Sequence, residues 1–362
     1  MADDRATTHT CHLLDGGPGV SAPAADPTIG LRALGVAVDV YRKVFTTPSL
    51  SRSNPVRHIG FDLDAVVESV RPEAADVVSV HLARPDGGLL PSWRPGSHLD
   101  VFLPSGRQRQ YSLCGDPDDR RRYRIAVRRL AGGDGGSVEV HTLRRGDVLR
   151  IRGPRNAFAF VENAPSYLFV AAGIGITPIL PMARAAGTRG RLVYLGRSRD
   201  SMPFLDELPA GADVRADSDA GTPDIPAILR TADPGAAVYV CGPPPVLEAA
   251  RRCAFTVNPT GSLHTERFSA LPVSDGREFE LTLARRGVSV RVASTETALD
   301  AIRRVEPDVV YSCRQGFCGT CKTRVLAGAV DHRDRALPDA ERRDHMLTCV
   351  SRSLDGPLVL DL

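Results

Sequence analysis

The sequence predicts a multidomain chain with three folded units in series: an antiparallel β-barrel, an α/β unit built on a parallel sheet, and a compact α+β unit. Three observations carry that division. Residues 56–160 show short apolar runs between Pro- and Gly-rich turns, the pattern of many short strands closing a small barrel. Over 161–270, apolar strand runs alternate with helical segments, which requires parallel strands flanked by helices. From 275 to 362, two strand runs and a helix lead into a loop that holds three closely spaced cysteines.

The elements follow in order. Residues 1–30 are rich in Ala, Pro, Gly and Asp and read as disordered. Leu31, Leu34, Val38, Tyr41 and Phe45 recur at spacings of three and four, which predicts one amphipathic helix ended by Pro48. Residues 1–55 are thus an N-terminal extension. In the barrel, 76–82, 98–103, 123–127 and 148–151 read as strands, with turns at 85–88, 104–106 and 132–136. In the α/β unit, 166–172 is a buried strand, and 178–186 is a helix with Thr177 as N-cap, Pro178 at its first position and Gly187 past its end. Residues 191–195 and 237–241 are further strands, and 244–253 a helix. After a linker at 269–276, strands are expected at 279–283 and 288–292 and a helix at 298–305.

Bulk properties narrow the function classes. Hydrophobic residues make up 42% and charged residues 25%, as in an ordinary soluble globular protein. A formal net charge of +3 argues against a nucleic-acid partner. No apolar run reaches the length of a membrane span. The Met-Ala-Asp-Asp start lacks the basic and apolar regions of a secretory signal. A cytoplasmic location is expected, with the clustered cysteines holding metal rather than forming disulfides.

The cysteines carry the most weight. Cys313, Cys318, Cys321 and Cys349 have the spacing C-x4-C-x2-C-x27-C. This is the plant-type spacing for a two-iron two-sulfur cluster. Zinc is the alternative, but it favours two paired C-x2-C knuckles, whereas Cys313 and Cys349 each stand alone. In the loop, Gly316 and Gly319 let backbone N–H groups turn inward toward a negatively charged cluster. The last 85 or so residues resemble the plant-type ferredoxins, which implies a β-grasp fold.

Arg109-Gln110-Tyr111-Ser112 places an Arg, an aromatic and a hydroxyl on one strand. Alternation puts Arg109 and Tyr111 on one face and Ser112 on the other. A surface Arg and a core Tyr would explain the segment as well as a flavin would. It resembles the R-x-Y-S of the ferredoxin–NADP reductase superfamily. That resemblance implies that Tyr111 lies against the flavin, Ser112 approaches its N5 edge and Arg109 holds its phosphate. Ala126-Val127-Arg128 resembles the second flavin strand of that superfamily, and Gly135-Gly136-Ser137 its phosphate-binding turn.

Ala172-Gly173-Ile174-Gly175-Ile176-Thr177-Pro178 follows a buried strand and opens a helix, where free N–H groups can face a pyrophosphate. It lacks the third Gly of a standard dinucleotide fingerprint. It resembles the superfamily's G-x-G-x-T-P, which implies Thr177 near flavin and nicotinamide. Cys241-Gly242-Pro243 follows a strand; a buried Cys in a strand-to-helix turn is the plainer explanation. The superfamily's C-G-P implies a place near the reacting nicotinamide carbon. His264-Thr265-Glu266-Arg267-Phe268 resembles the closing H-x-E-x-F strand, which implies Glu266 near the flavin edge and Phe268 against its face. Arg197-Ser198-Arg199 follows a strand where an adenosine ribose is expected. Its arginines suit a 2′-phosphate and keep NADPH open.

The order of barrel, nicotinamide unit and C-terminal ferredoxin resembles the phthalate dioxygenase reductase family from about residue 56 to 362. That implies FMN rather than FAD, NADH as the preferred coenzyme, and delivery of electrons to a separate oxygenase, either a Rieske non-haem iron enzyme or a haem monooxygenase. Flavin is the component that converts a two-electron hydride into single electrons for a cluster. Two other classes remain: a redox sensor without turnover, and a reductase acting directly on a small molecule. Arg314, Lys322 and Arg324 adjoin the cysteine loop, which suggests a basic rim for docking an acidic partner.

Overall fold

The computed structural model describes residues 61–132 and 135–362. The helix expected over 31–45 and the turn residues 133–134 lie outside the described residues. Sixteen strands fall into three sheets, one for each expected unit.

The barrel sheet comprises β1 (Phe61–Ala74), β2 (Val77–Ala83), β3 (Ser97–Phe102), β4 (Gln108–Ser112), β5 (Tyr123–Arg128) and β6 (Val148–Asn156). Its spatial order is β4-β3-β6-β1-β2-β5, and every pair is antiparallel. Leu113, just past β4, bridges Ile125 of β5, so the two edges of the sheet meet. Period-two alternation sends Ala65, Val67, Val80, Leu82, Leu99, Val101, Ile125, Val127, Leu149 and Ile151 into one core. The short helix α1 (Gly136–Val140) closes it with Val140. Strand β1 had no clear signature in the sequence. Its pairing with β2 shifts register twice, between Val67 and Ser69 and between Pro72 and Ala74, and such irregularities scramble alternation.

The second sheet is parallel, in the order β11-β10-β7-β8-β9. Its strands are β7 (Tyr167–Ala172), β8 (Gly190–Gly196), β9 (Asp213–Ala216), β10 (Ala237–Cys241) and β11 (Ser262–Glu266). Helices α2 (Ile176–Ala186), α3 (Ile225–Leu229) and α4 (Pro244–Val257) cover it. Separate apolar clusters lie on its two faces: Phe169, Ala171, Ile179, Leu180 and Tyr239 on one, and Leu168, Val170, Val193, Leu247 and Ala250 on the other. That explains why β7 and β10 are buried at every position.

Thr177 is not the N-cap of α2. A 3-10 turn at Gly173–Gly175 runs straight into the helix, which begins at Ile176. The Thr177 hydroxyl donates to the Ile174 carbonyl instead of accepting an orphan N–H. Gly187 does end the helix as expected, with φ of 56°.

The third sheet has the order β13-β12-β16-β14-β15. Its strands are β12 (Phe279–Leu283), β13 (Val288–Val292), β14 (Lys322–Asp331), β15 (His345–Leu347) and β16 (Arg352–Leu360). Helix α5 (Ala298–Arg303) packs Ala298, Ala301 and Ile302 onto it. Its Thr297 cap accepts from the Asp300 N–H. Strands β12 and β13 fall where the sequence placed them. Among the described residues, no helix is long and apolar enough to cross a membrane.

An ion-pair cluster joins barrel and parallel sheet. Arg124 of β5 makes a bidentate pair with Glu207, at 2.6 and 2.8 Å, and Arg184 of α2 reaches the same carboxylate at 2.8 Å. The two guanidinium groups hold Glu207 down at about 2.

Candidate functional site

The loop after β7 and the loop after β10 meet at glycines. A Cβ on Gly175 would strike the Cys241 carbonyl, and one on Gly242 would press on the Ala172 side chain. Neighbouring parallel strands end at the same level there, so only a residue without a side chain lets the loops approach. This brings Gly173, Gly175, Thr177, Cys241, Gly242 and Pro243 to one end of the sheet, at the carboxyl ends of its strands, where open α/β sheets bind ligands.

Cys241 and Glu266 are paired across β10 and β11. Cys241 is fully buried, and burial followed by the nearby Glu266 charge pushes its thiol well above the usual range. The Glu266 carboxyl is buried, with Oε2 left without a partner. Burial raises it to about 8, and the neighbouring Ser112 hydroxyl opposes the shift only in part. Glu266 thereby links the parallel sheet to β4 of the barrel. Arg267 and Phe268 follow, and Phe268 is 48% exposed. His264 is accounted for by packing: its ring stacks on Tyr239 at 4.4 Å.

On β4 the sequence segment divides by face. Tyr111 packs against the barrel core, and burial pushes its phenol up. Arg109 donates to the Gln108 carbonyl at 2.8 Å and leans across α1. A Cβ on Gly136 would run into its guanidinium, and Gly135 takes the left-handed φ of 81°. Ser137 accepts from the Leu130 N–H at 3.0 Å, tying that turn to the end of β5. Arg128, beyond Ala126 and Val127 on β5, extends its guanidinium toward the Gly173 loop. Gln110 departs from the expectation that it serves the same site as Arg109. Its amide donates to Asp100 at 3.0 Å and to Ser312, on the opposite face of the strand.

Ser198 also has a structural task. It forms a reciprocal capping box with Ser201 over the turn at Arg199–Ser201. The Arg197 carbonyl accepts from the Ser218 N–H, and Arg199 pairs with Asp219 at 3.6 Å. Asp219 thus holds the exposed Arg199 guanidinium in an ion pair.

The four clustered cysteines come together from the loop 313–321 and from Cys349, just past β15. Cys313, Cys321 and Cys349 are buried and Cys318 is half-buried. Cys313 touches Cys318 and Cys349, and Cys349 also touches Cys321. Four thiols meeting in the succession Cys318, Cys313, Cys349, Cys321 suit two metal atoms sharing four thiolates. Backbone N–H groups of Gln315 and Phe317 point at the Cys313 sulfur. The Cys318 and Cys349 thiols, and after them these N–H groups, draw Cys313 well below the usual thiol range, and Cys318 and Cys349 are pushed up in turn. Gly316, at φ 76°, has no room for a Cβ beside Val350. The donor set and the inward N–H groups fit an anionic iron–sulfur cluster.

The basic rim expected beside this loop is matched by carboxylates of the same unit. Arg314 pairs with Asp300, Lys322 with Glu341 at 3.0 Å, and Arg324 approaches Asp344 at 3.9 Å. What the loop does expose is Phe317, at 38%.

The functional residues that sequence reasoning missed lie between barrel and cysteine loop. Gln108 donates to the Tyr311 carbonyl at 2.5 Å, Ser312 donates to Asp100 at 2.7 Å, and Arg155 bridges Asp100 at 2.6 Å and Thr320 at 3.0 Å. Gln315 reaches the Arg267 carbonyl at 2.6 Å. His98, buried next to Asp100 and Cys313, keeps Nε2 unpartnered, and burial pushes its imidazole down. Asp100 lies between Leu99 and Val101 and so faces away from the barrel core, where its burial comes from the cysteine loop and leaves no local sign in the sequence.

Comparison with known proteins places these features. Residues 281–354 match the family described as the 2Fe-2S iron-sulfur cluster binding domain. The chain is 38% identical over 303 residues to the phthalate dioxygenase reductase of Burkholderia cepacia, covering 80% of this chain and 94% of that one. It superimposes on the solved phthalate dioxygenase reductase, described as a modular structure for electron transfer from pyridine nucleotides to [2Fe-2S], with a TM-score of 0.64 and 35% identity over 83% of this chain and 98% of that one. It is also 40% identical to part of the full-length cytochrome P450 CYP116B46 of Tepidiphilus thermophilus, with a TM-score of 0.61, covering 83% of this chain and 42% of the longer one.

Proposed function

The chain belongs to the phthalate dioxygenase reductase family, and on that premise we propose that it is the reductase component of an oxygenase system, carrying electrons from NADH through FMN to a two-iron cluster and on to a separate oxygenase. When bound, FMN supplies the step from two-electron to one-electron chemistry. The rest is positioning by this chain.

In this reading the three sheets are three domains, divided near 56–160, 161–270 and 275–362. Arg109, with the turn Gly135-Gly136-Ser137, holds the flavin phosphate, and Ala126-Val127-Arg128 lines its second strand. Tyr111 and Phe268 flank the ring. Gly173, Gly175, Gly242 and Pro243 admit the nicotinamide coenzyme, with Arg197 and Ser198 beside its adenosine end. Thr177, Cys241, Ser112 and Glu266 surround the point of hydride transfer. There the buried Cys241 and Glu266 would exclude water and keep the two rings in the close contact that hydride transfer needs, about 3–3.5 Å. Cys313, Cys318, Cys321 and Cys349 ligate the cluster. We place the protein in the cytoplasm, since a reducing compartment suits its free thiols.

The observation that carries the reading is the approach of the Glu266 carboxyl to the Ser112 hydroxyl. It draws the end of the parallel sheet onto the barrel strand that also grips the cysteine loop. The acceptor is an oxygenase whose substrate is set by the partner. The pairing of Arg199 with Asp219 favours NADH over NADPH. Anaerobic titration of the purified protein with each coenzyme tests this, followed by absorbance, with the released flavin identified by chromatography. Bleaching of bound FMN by NADH at far lower concentration than by NADPH supports the reading. A protein that releases no flavin on heating refutes it.

A further inference from the structure

We propose that Asp100 is a positioning residue for electron transfer: its buried carboxylate clamps both ends of the cysteine loop onto the flavin strand and so sets the gap between flavin and cluster. This deepens the proposed function and rests on it.

The Asp100 side chain is fully enclosed. A buried carboxylate is expensive unless donors surround it, and those it has come from both sides of an interface. Oδ1 accepts from Ser312 at 2.7 Å and from Gln110 at 3.0 Å; Oδ2 accepts from Arg155 at 2.6 Å. Gln110 and Arg155 belong to the barrel, whereas Ser312 belongs to the cysteine-bearing unit and immediately precedes Cys313. Arg155 extends the grip by donating to Thr320, which immediately precedes Cys321. The loop is therefore held just before its first and just before its third cysteine. Gln108 adds a third point at the Tyr311 carbonyl.

The barrel side of this clamp is what gives it a functional meaning. Gln108 and Gln110 alternate along β4 with Arg109 and Tyr111. One five-residue strand thus presents flavin-binding groups on one face and loop-holding groups on the other. The grip on the loop passes through the strand that carries Arg109 and Tyr111, with Asp100 of β3 and Arg155 of β6 beside it. Electron transfer falls off exponentially with the gap, so a small slip of the loop on β4 would slow that step without touching hydride transfer. A site carried on a rigid element with its supporting hydrogen bonds satisfied is how such geometry is held.

The test is rapid mixing of the holoprotein with NADH under anaerobic conditions, following flavin bleaching and cluster reduction as separate phases. The variants are Asp100→Asn, which keeps the shape but loses a full acceptor, and the double variant Gln108→Ala/Ser312→Ala. The double variant removes two grips without stranding a buried charge. Flavin bleaching should stay within about twofold of wild type in both, while cluster reduction slows about tenfold or more. The cluster's paramagnetic spectrum should be unchanged, and ferricyanide, which takes electrons from the flavin directly, should be reduced at the wild-type rate. Cluster reduction at the wild-type rate in the double variant overturns the proposal, whether or not Asp100→Asn folds. So does wild-type cluster reduction in an Asp100→Asn protein whose melting temperature alone has dropped. A wild-type protein that shows neither phase would instead overturn the reading on which the clamp rests.

Discussion

Glu266, the last residue of β11, sets its buried carboxyl beside the hydroxyl of Ser112, the last residue of β4. The contact joins the two sheets at one point, and it carries a consequence for pH. Glu266 titrates near 8 in the folded chain against 4.5 for an ordinary glutamate. Below about pH 4.5 it is protonated in both states, and its burial is uncharged. As pH rises toward 8, the folded state retains the proton that the unfolded chain gives up, so stability falls across that window and stays lost above it. The full effect is about 5 kcal/mol. Between about pH 5 and pH 9 the wild-type melting temperature should drop further than that of Glu266→Gln, by several degrees. Parallel curves for the two proteins would show that the carboxyl is ionised throughout.

Arg109 and Gly136 should matter for flavin retention in different ways. Arg109→Ala removes a charge-assisted donor and should weaken FMN binding roughly tenfold to a hundredfold. Gly136→Ala leaves the Arg in place chemically but drives a methyl into its guanidinium, so it too should lose flavin. Flavin-to-protein ratio after dialysis and fluorescence titration of the apoprotein measure both.

Cys313→Ser and Cys349→Ser should each abolish the cluster while sparing the flavin. NADH would still bleach the yellow absorbance, and ferricyanide reduction would persist, while reduction of the partner oxygenase stops. Loss of flavin bleaching in both variants would mean that cluster and flavin site cannot assemble independently.

Coenzyme choice turns on Asp219. Asp219→Ala frees Arg199 from its ion pair and removes a carboxylate from the approach of a 2′-phosphate. Steady-state kinetics should show kcat/KM for NADPH rising severalfold and that for NADH staying within about twofold, the pair being exposed and weak.

Because Arg314, Lys322 and Arg324 are each matched by a carboxylate, electron delivery should depend little on salt. Raising ionic strength should change the rate of partner reduction by less than about threefold. Phe317→Ser, which removes the exposed apolar group beside the cysteines, should slow it more. A steep fall with salt would restore a charge-steered encounter.

How far the sequence could be read depended on what kind of signal each element left. The cysteine spacing, the runs Ala237–Cys241, Phe279–Leu283 and Val288–Val292, and the glycines that end β7 and β10 are local patterns, and the strand runs fall where expected. Strand β1 was hidden by its two register shifts. Strands β14 and β16 were hidden because their exposed faces carry mixed polar and small residues. Thr177 looked like a cap because Pro178 follows it, but the 3-10 turn before it already belongs to the helix. Gln110 read as part of the flavin motif because it sits inside R-x-Y-S. Its side chain answers to Asp100 and Ser312, a contact across 202 residues of chain that no local pattern records.

Electron paramagnetic resonance of the frozen, NADH-reduced holoprotein tests the central claim most directly. The account predicts a silent oxidised sample and, after NADH, a rhombic signal of a reduced two-iron cluster stoichiometric with the chain. A sample that remains silent after its flavin has been fully bleached, or that yields zinc and no iron on metal analysis, would contradict it.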